Sequence, residues 1–309
     1  MEGVFKHRIF GMRRKEKARK EKKPVDWAYP ISLVLSIFLF RWYNSFPMDV
    51  KTYVMNRKQE LREEASRLSR KPTLLIIQAN DDPSSNSYVR GKLKDGAELG
   101  YEVRLKKFPE TISEDELLAE VRKANADDSI DGFIVQLPLP KHIDEKKVKL
   151  AIDPSKDVDG FHPLTKFIPC TPKGIVEYLK AAGFSFRGKN AVVLGRSDIV
   201  GKPMAKLLLS LDCNVTVLHS KTSEEDKAAY IKMADLIVVA IGRIGFLDGR
   251  FEYKPSAYIV DVGITRGEDG KLHGDAMPNL PVALQTPVPG GVGLLTRLAL
   301  MENLMEAAK

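Results

Sequence analysis

The sequence is poor in cysteine, with only Cys170 and Cys213 among its 309 residues. Two cysteines cannot form the multi-disulfide framework typical of small secreted proteins, so we expect a reducing compartment, the cytoplasm. Cys170 has no His/Asp arrangement near it in the sequence, which favours a packed thiol over a nucleophile.

Excess charge is also absent from most of the chain. The formal net charge is +8, but residues 1–47 carry eleven of the 49 basic residues and only four of the 41 acidic ones. A protein that binds a phosphate backbone needs its positive excess on the folded body, and residues 48–309 are nearly balanced. We therefore predict no nucleic-acid partner.

Residues 1–47 contain no apolar run of full membrane-spanning length. Residues 13–23 are a run of charges, and residues 27–40 are uncharged and apolar. The apolar run is short against the roughly 20 residues that cross a bilayer, and no secretory cleavage site precedes Met48. An interfacial anchor, a short span, or upstream sequence ahead of a natural start at Met48 all fit. We favour the last and expect membrane contact, if any, to be peripheral and through residues 1–47.

From Met48 onward, helical and strand patterns alternate, which predicts an α/β fold with parallel sheets covered on both faces. The loop-rich and proline-rich residues 153–172 are the expected domain boundary. We predict domains at 48–168 and 169–290 with a cleft between them, and a C-terminal helix over about 291–309 that packs back on the first. Predicted helices cover 49–69, 85–99, 113 onward, 144–151, 174–182 and 200–211; predicted strands cover 73–79, 101–108, 131–139, 190–194, 214–218, 234–242 and 257–264.

The motif Tyr88-x-x-x-Lys92 is the first candidate for chemistry. Ser85 is a plausible N-cap, and a helix starting there places Tyr88 and Lys92 one turn apart on one face. A phenol beside an amine suits proton transfer and the binding of a flat substrate. In isolation, the same spacing also fits a solvated helix face.

A glycine turn over residues 195–201 follows the strand predicted at 190–194. Its backbone N–H groups and the following helix N-terminus can receive a pyrophosphate, although a purely structural strand-to-helix turn is the alternative. The next strand ends in His219, Ser220, Lys221 and Thr222, with no acidic residue for a ribose 2′-hydroxyl. Hydroxyl groups and cations, Arg196 included, suit a 2′-phosphate, so we predict NADP over NAD.

Several segments together resemble the methylenetetrahydrofolate dehydrogenase/cyclohydrolase family. They cover essentially all of residues 48–309 and none of 1–47. The segments are SYVRGKLKDGAELG (87–100), DGFIVQLPLP (131–140), KDVDGFHP (156–163), PCTPKGIVEYL (169–179), VVLGRSDIVGKPMAKLLL (192–209), VTVLHSKT (215–222), ADLIVVAIG (234–242), YIVDVGITR (258–266) and TPVPGGVG (286–293).

The resemblance implies a folate-binding catalytic domain followed by a Rossmann-like NADP domain, in a subunit that pairs as a homodimer. The implied reactions are the NADP-dependent oxidation of 5,10-methylenetetrahydrofolate and the hydrolysis of the methenyl product to 10-formyltetrahydrofolate. Lys92 resembles the catalytic lysine, Tyr88 the aromatic wall of the folate site, and Gln136 the partner of the lysine. Asp159 resembles the residue that grips the pterin edge.

The remaining implied contacts divide between the two ligands, and no metal is implied. The further substrate contacts are Leu137, Pro289 and Gly290. The cofactor contacts are Thr171, Gly195, Arg196, Ser197, Ile199, Val200, Gly201, His219, Ser220, Gly242 and Ile264.

The chain departs from the family pattern in two places. Gln78-Ala79-Asn80 stands where the family commonly has a glycine, and Leu294-Leu295 stands where proline and methionine usually follow TPVPGGVG. Neither change removes an implied catalytic group. They bear on the balance of the two activities.

Two other functions compete with this one. Short-chain dehydrogenases also use Tyr-x-x-x-Lys, but there the motif follows the glycine turn within one sheet, whereas Tyr88 here precedes Gly195 and belongs to another predicted domain. A non-catalytic folate- or nucleotide-binding protein tethered by residues 1–47 would be expected to have lost Lys92 or the glycine turn. Both are present.

Overall fold

A computed structural model describes residues 48–309 of the chain. The expectations for residues 1–47, whether anchor, span or upstream sequence, lie outside the described residues. Within residues 48–309, no helix is both long enough and apolar enough to cross a membrane.

Helices and strands alternate along the described residues. The helices are α1 (Val50–Ala65), α2 (Pro83–Leu99), α3 (Glu114–Asn125), α4 (Glu145–Ala151), α5 (Cys170–Ala181), α6 (Gly201–Ser210), α7 (Glu224–Met233) and α8 (Val292–Ala307). The strands are β1 (Thr73–Gln78), β2 (Glu102–Lys107), β3 (Gly132–Gln136), β4 (Asn190–Leu194), β5 (Asn214–Leu218), β6 (Leu236–Val239), β7 (Tyr258–Asp261), β8 (Thr265–Arg266), β9 (Leu272–His273) and β10 (Leu284–Gln285).

The first sheet has the order β2-β1-β3 and is parallel throughout. All six residues of β1 are buried, as expected for the central strand of a sheet covered on both faces. The chain leaves β1 for β2 on one side and later adds β3 on the other. The loops at the carboxyl ends of β1 and β3 therefore diverge, and this is where α/β sheets bind ligands.

The second sheet repeats this arrangement in the order β10-β7-β6-β4-β5, again parallel. Here β4 is the strand with β5 on one side and β6 on the other. The loops that follow β4 and β6 open a second ligand position of the same kind. Together the two sheets confirm the predicted α/β class with a Rossmann-like second half.

The largest hydrophobic cluster lies among α1, α5, α8 and the inner faces of both sheets, and includes Tyr53, Ile76, Ile175, Val193 and Leu298. Two smaller clusters cover the outer face of each sheet. Helix α8 packs against α1, α2 and α5. The C-terminal helix α8 thus lies next to α2, the helix that carries Lys92. The predicted domain boundaries stay a prediction.

The N-cap of α2 differs from the prediction. The helix begins at Pro83, and Asp82 is its cap, accepting a hydrogen bond from Ser85 N at 2.7 Å. Proline suits this first position because its φ is already helical and its missing N–H would have no partner there. Ser85 is instead buried and accepts from Gln78 Nε2 at 3.2 Å.

Other differences concern element ends and short elements. The capping box Ser113/Glu116 at the start of α3 is confirmed. Strand β3 ends at Gln136, short of residue 139, where the prolines of the LPLP run remove backbone donors. The prediction also missed α7 and the antiparallel β8–β9 pair.

Candidate active site

Lys92 and Gln136 form the centre of the candidate site. Lys92 lies on α2 after the central strand β1, and Gln136 is the last residue of the neighbouring strand β3. Lys92 Nζ donates to Gln136 Oε1 at 2.9 Å, and Gln136 Nε2 donates to Leu137 O at 2.8 Å. Because the amide nitrogen is held by its own chain, the amide oxygen faces the amine.

The Lys92 amine has an unusual environment. Lys92 is 7% exposed, and burial lowers the pKa of its amine from the usual 10.5; the carboxylate of Asp159 opposes this shift. The nearby Arg297 guanidinium lowers the pKa further. A buried amine with a neutral partner can exchange protons closer to neutrality than an exposed lysine.

Asp159 lies on the loop between α4 and α5, next to the buried thiol of Cys170. Cys170 Sγ donates to Val158 O at 3.3 Å, and burial raises the pKa of this thiol well above its usual range. A protonated thiol is no nucleophile, so the structure agrees with a packed cysteine. Asp157 shapes the same loop by accepting from His162 N at 2.6 Å.

Tyr88 stands one turn before Lys92 and is half-buried. Burial raises the pKa of its phenol. Its hydroxyl points towards the start of α8, where a Cβ added to Gly293 would lie 3.4 Å from Tyr88 Oη. The Tyr88 hydroxyl therefore lies next to the GGVG turn at the start of α8.

The two departures from the family pattern both make close contacts. Asn80 Nδ2 donates to Pro138 O at 2.8 Å, which ties the carboxyl end of β1 to the chain after Gln136. Leu295 is fully buried, and its carbonyl packs so closely on α5 that a Cβ at Gly174 would lie 2.4 Å from it. The first departure is thus accommodated by a hydrogen bond and the second by packing against α5.

The other predicted substrate contacts lie at two edges of the site. Leu137 and Asp159 line one small cavity together with Phe161. Pro289 is exposed, and Gly290, at φ +94°, lies beside the Lys51 side chain. The structure thus brings Leu137 and Asp159 together and leaves Pro289 and Gly290 on the turn before α8.

A second cavity, of about 320 Å³, lies at the carboxyl ends of β4, β5 and β6. Its lining includes four predicted cofactor residues: Gly195, Arg196, His219 and Ser220. It also includes residues that were not predicted: Leu194, Leu218, Lys227, Ala240, Ile241, Arg243 and Phe246.

The turn after β4 needs its glycines for backbone packing. Gly195 has φ +116°, and a Cβ there would lie 2.3 Å from Ala240 O. A Cβ at Gly201 would lie 2.3 Å from Gly195 O. Ser197 Oγ accepts from Val200 N at 3.2 Å and Gly201 N at 3.3 Å, which leaves its hydroxyl hydrogen available to a ligand.

The residues of this cavity fit the adenosine end of NADP. Its lining includes the guanidinium groups of Arg196 and Arg243, a serine hydroxyl and a histidine. This lining comes entirely from the described residues, and it contains no acidic side chain. An acid would repel a 2′-phosphate, whereas guanidinium groups bind one.

The remaining predicted cofactor residues lie outside this lining. Ile199 and Ile264 are exposed, and Val200 is the N-cap of α6. Gly242 donates its N–H to Asp275 at 3.0 Å. Thr171, on the first turn of α5, pairs its hydroxyl with that of Thr296 at 3.0 Å.

Sequence reasoning missed two residues of α8. Arg297 Nε lies 3.0 Å from Asp95 Oδ2, and its guanidinium group covers Gly91, one residue before Lys92. Asn303 is fully buried and donates to Val158 O at 2.9 Å and to Ile168 O at 3.1 Å. A polar Asn in an apolar helix (LALMENLMEAA) is the one signal that could have indicated it.

Comparison with known families covers most of the described residues. Residues 48–159 match the tetrahydrofolate dehydrogenase/cyclohydrolase catalytic domain. Residues 169–309 match the tetrahydrofolate dehydrogenase/cyclohydrolase NAD(P)-binding domain.

Relatives in bacteria are similar over nearly their whole length. The bifunctional protein FolD of Enterococcus faecalis is 46% identical over 265 residues, which are 81% of this chain and 93% of the relative. That of Geobacillus thermodenitrificans is 46% identical over 268 residues, 82% of this chain and 93% of the relative.

Solved structures show the same arrangement. The FolD methylenetetrahydrofolate dehydrogenase/cyclohydrolase of Campylobacter jejuni is 39% identical with a TM-score of 0.81, covering 84% of this chain and 97% of its own. The Trypanosoma brucei dehydrogenase-cyclohydrolase, solved with NADP and an inhibitor, is 32% identical with a TM-score of 0.80, covering 85% and 96%.

Proposed function

Because the chain belongs to the tetrahydrofolate dehydrogenase/cyclohydrolase family, we propose that it oxidises 5,10-methylenetetrahydrofolate with NADP and hydrolyses the methenyl product to 10-formyltetrahydrofolate. The observation that carries the proposal is the buried Lys92–Gln136 pair, an amine suited to the hydrolysis, next to Asp159, to which we assign the binding of the folate. The rival functions, a short-chain-type dehydrogenase and a tethered binding protein, are not favoured.

The oxidation requires the substrate carbon to be held against the cofactor. NADP held in the cavity at the ends of β4, β5 and β6 would supply the hydride acceptor. We assign Tyr88 to the face of the folate ring and Asp159 to the polar edge of the pterin, with Leu137, Pro289 and Gly290 as further contacts. Holding two reactants in one geometry is the main contribution a protein makes to such a step.

The hydrolysis requires a proton to leave the attacking water. We assign this proton to the Lys92 amine, because burial lowers its pKa and Gln136 orients it without adding negative charge. The water oxygen adds to the methenyl carbon, and one water proton passes through the amine to the solvent. The bond between that carbon and the ring nitrogen then breaks, and the remaining hydroxyl proton moves to the ring nitrogen as the formyl group forms. Lys92 is regenerated unchanged.

For the cofactor, we propose that Arg196 and Ser220 bind the 2′-phosphate and that the turn over 195–201 binds the pyrophosphate. The lining of the cavity beside β5 supports this assignment, since it includes Arg196, Lys227 and Arg243 and has no acidic side chain at the end of β5, where NAD-binding proteins usually carry one. The roles of Thr171, Ile199, Val200, Gly242 and Ile264 rest on the resemblance alone.

The proposal includes a homodimer, domains at 48–168 and 169–290 with α8 returning to the first, and a cytoplasmic location. The free, buried thiols of Cys170 and Cys213 support a reducing compartment. Analytical ultracentrifugation tests the dimer, and fractionation of the full chain against a Met48 start tests any membrane contact of residues 1–47.

The deciding experiment is a spectrophotometric assay with 5,10-methylenetetrahydrofolate, comparing NADP with NAD, on wild type and Asp159→Ala. We expect NADPH formation in the wild type with a preference for NADP. Asp159→Ala should raise the KM for the folate with little change in the KM for NADP. A wild-type protein inactive with both cofactors, or one that prefers NAD, contradicts the proposal.

A further inference from the structure

Arg243 lies on the wall of the nucleotide cavity formed by the loop after β6, whereas the proposed phosphate contacts come from the turn after β4 and the end of β5. Arg243, Arg196 and Ser220 thus reach the cavity from the ends of three neighbouring strands, β6, β4 and β5. We propose that Arg243 is a further specificity-determining residue, which contacts the 2′-phosphate of the cofactor together with Arg196. This inference rests on the proposed use of NADP.

The backbone of Arg243 is held by a fully buried carboxylate. Asp275 Oδ1 accepts from Arg243 N at 2.7 Å, and its Oδ2 accepts from Ile241 N at 2.7 Å and Gly242 N at 3.0 Å. Three N–H donors on one carboxylate fix the turn after β6. The side chain therefore leaves the backbone from a defined position before any ligand arrives.

The side chain is also supported. Arg243 Cζ lies 5.2 Å from the centroid of the Phe246 ring, and Phe246 is itself buried and lines the same cavity. Stacking on an aromatic face restricts the guanidinium group without using its N–H donors. A supported guanidinium group loses less entropy on binding a phosphate than a free side chain.

Charge pairing separates the three cations of the cavity. Lys227 Nζ lies 2.5 Å from Glu224 Oε1, so its charge is largely compensated. Among residues 48–309, neither Arg196 nor Arg243 forms an ion pair. Their guanidinium groups are the ones available to a dianionic phosphate, which can accept bidentate hydrogen bonds from both.

Stacking of Arg243 on the adenine ring is the competing role, and it predicts a different result. Adenine is common to NADP and NAD, so a stacking residue affects both alike. A residue that contacts the 2′-phosphate affects only the ligand that carries it. The ratio of the two affinities therefore distinguishes the roles.

The test measures binding of 2′,5′-ADP and 5′-AMP to the full chain by titration calorimetry, for wild type, Arg243→Gln and Arg243→Lys. We expect Arg243→Gln to weaken the binding of 2′,5′-ADP by about tenfold, the usual effect of losing a charged hydrogen bond. The binding of 5′-AMP should weaken by less than about twofold. Arg243→Lys, which keeps the charge, should retain part of the affinity and covers the case in which Arg243→Gln fails to fold.

Arg250→Gln is the matched control, because Arg250 lies outside the cavity lining and is paired with Asp248 at 2.9 Å. It should leave both affinities unchanged. Equal losses for the two nucleotides in Arg243→Gln, or no loss, overturn the inference, as does a wild type that does not prefer 2′,5′-ADP. The titrations contain no folate, so they test the cofactor site separately from the reaction. A wild type that prefers 2′,5′-ADP but fails to oxidise methylenetetrahydrofolate would refute the proposed reaction and not the role of Arg243.

Discussion

Lys92 Nζ lies 2.9 Å from Gln136 Oε1, so the partner of this buried amine is a neutral amide. A carboxylate in that place would stabilise the ammonium form and keep the lysine protonated. The amide fixes the position of the nitrogen and leaves its pKa lowered by burial. Both properties suit an amine that takes and returns a proton near neutral pH.

Replacing Lys92 by methionine should abolish hydrolysis while preserving most of the fold. Methionine fills the volume of the lysine stem but carries no exchangeable proton, and among residues 48–309 no other lysine donates to the Gln136 side chain. We expect the cyclohydrolase rate to fall by about 10²–10⁴-fold, the usual contribution of a general acid–base group. The decay of methenyltetrahydrofolate absorbance measures this step directly.

Lys94→Met is the control for this variant. Lys94 lies on the same helix, its side chain is 77% exposed, and its nearest acidic partner is Glu98 at 3.8 Å. Its replacement should leave both activities within about twofold of wild type. Near-normal hydrolysis in Lys92→Met would remove the lysine from the mechanism.

Gln136→Glu should move the pH dependence of hydrolysis. A carboxylate beside the amine favours the ammonium form, so the pKa of Lys92 rises. If the neutral amine is the active form, the rate increases with pH through that pKa, and the acid limb of the profile moves to higher pH. Profiles of wild type and variant, measured under identical ionic strength, show the direction.

The direction of that shift is the decisive quantity, because loss of rate alone would follow from any damage to the site. A limb that stays in place, or moves to lower pH, contradicts the assignment of Lys92 as the group that titrates.

Asn303→Ala should lower both stability and folate affinity. Asn303 Nδ2 donates to Val158 O and Ile168 O, and its Oδ1 accepts from Lys173 Nζ at 2.6 Å. Alanine leaves Val158 O with the Cys170 thiol as its remaining donor, removes the amide donor of Ile168 O and removes the acceptor of Lys173 Nζ. We expect this to cost about 1–3 kcal/mol of unfolding free energy. Because Val158 precedes Asp159, the KM for the folate should rise more than the KM for NADP.

Urea denaturation and steady-state kinetics measure the two effects separately. Glu306→Ala serves as the comparison on the same helix, since the Glu306 side chain is 53% exposed and lies 3.7 Å from Lys166. A surface pair of this kind contributes less than about 1 kcal/mol. If Asn303→Ala were no more destabilising than Glu306→Ala, the buried amide would not hold the Asp159 loop.

The sequence pattern was sufficient for those parts of the site that depend on local spacing. The helical interval between Tyr88 and Lys92 and the glycine turn after β4 are set by residues close in the chain, and the structure shows both. Asn303 and Arg297 reach the site from α8. Their positions depend on packing between elements distant in sequence, which local patterns do not contain.

The same limit explains why Arg243 was missed. Its orientation depends on Asp275, which follows β9 and has no sequence relation to the loop after β6. Ser85 shows the reverse error, because its residue type suits an N-cap, but Asp82 and Pro83 begin the helix earlier. Residue type alone did not identify the cap, which depends on where Pro83 starts the helix.

Gly195→Ala should disrupt the cofactor site and destabilise the protein. A Cβ at Gly195 would lie 2.3 Å from Ala240 O, and its φ of +116° is unfavourable for alanine. To relieve the overlap, β4 must move away from the loop after β6. Both of these segments line the nucleotide cavity. We expect a loss of about 2–4 kcal/mol of unfolding free energy and at least tenfold weaker NADP binding. Thermal denaturation and NADPH fluorescence titration measure these quantities.

Gly249→Ala separates this effect from a general intolerance of glycine replacement. A Cβ at Gly249 would meet no atom within 4 Å, and the residue lies in an exposed turn after the cavity-lining loop. Without overlap or a positive φ, alanine there should change stability by less than about 0.5 kcal/mol and leave NADP affinity unchanged. If Gly195→Ala bound NADP as tightly as Gly249→Ala, the close approach of β4 to the loop after β6 would not shape the nucleotide site, and the pyrophosphate assignment to residues 195–201 would lose its structural basis.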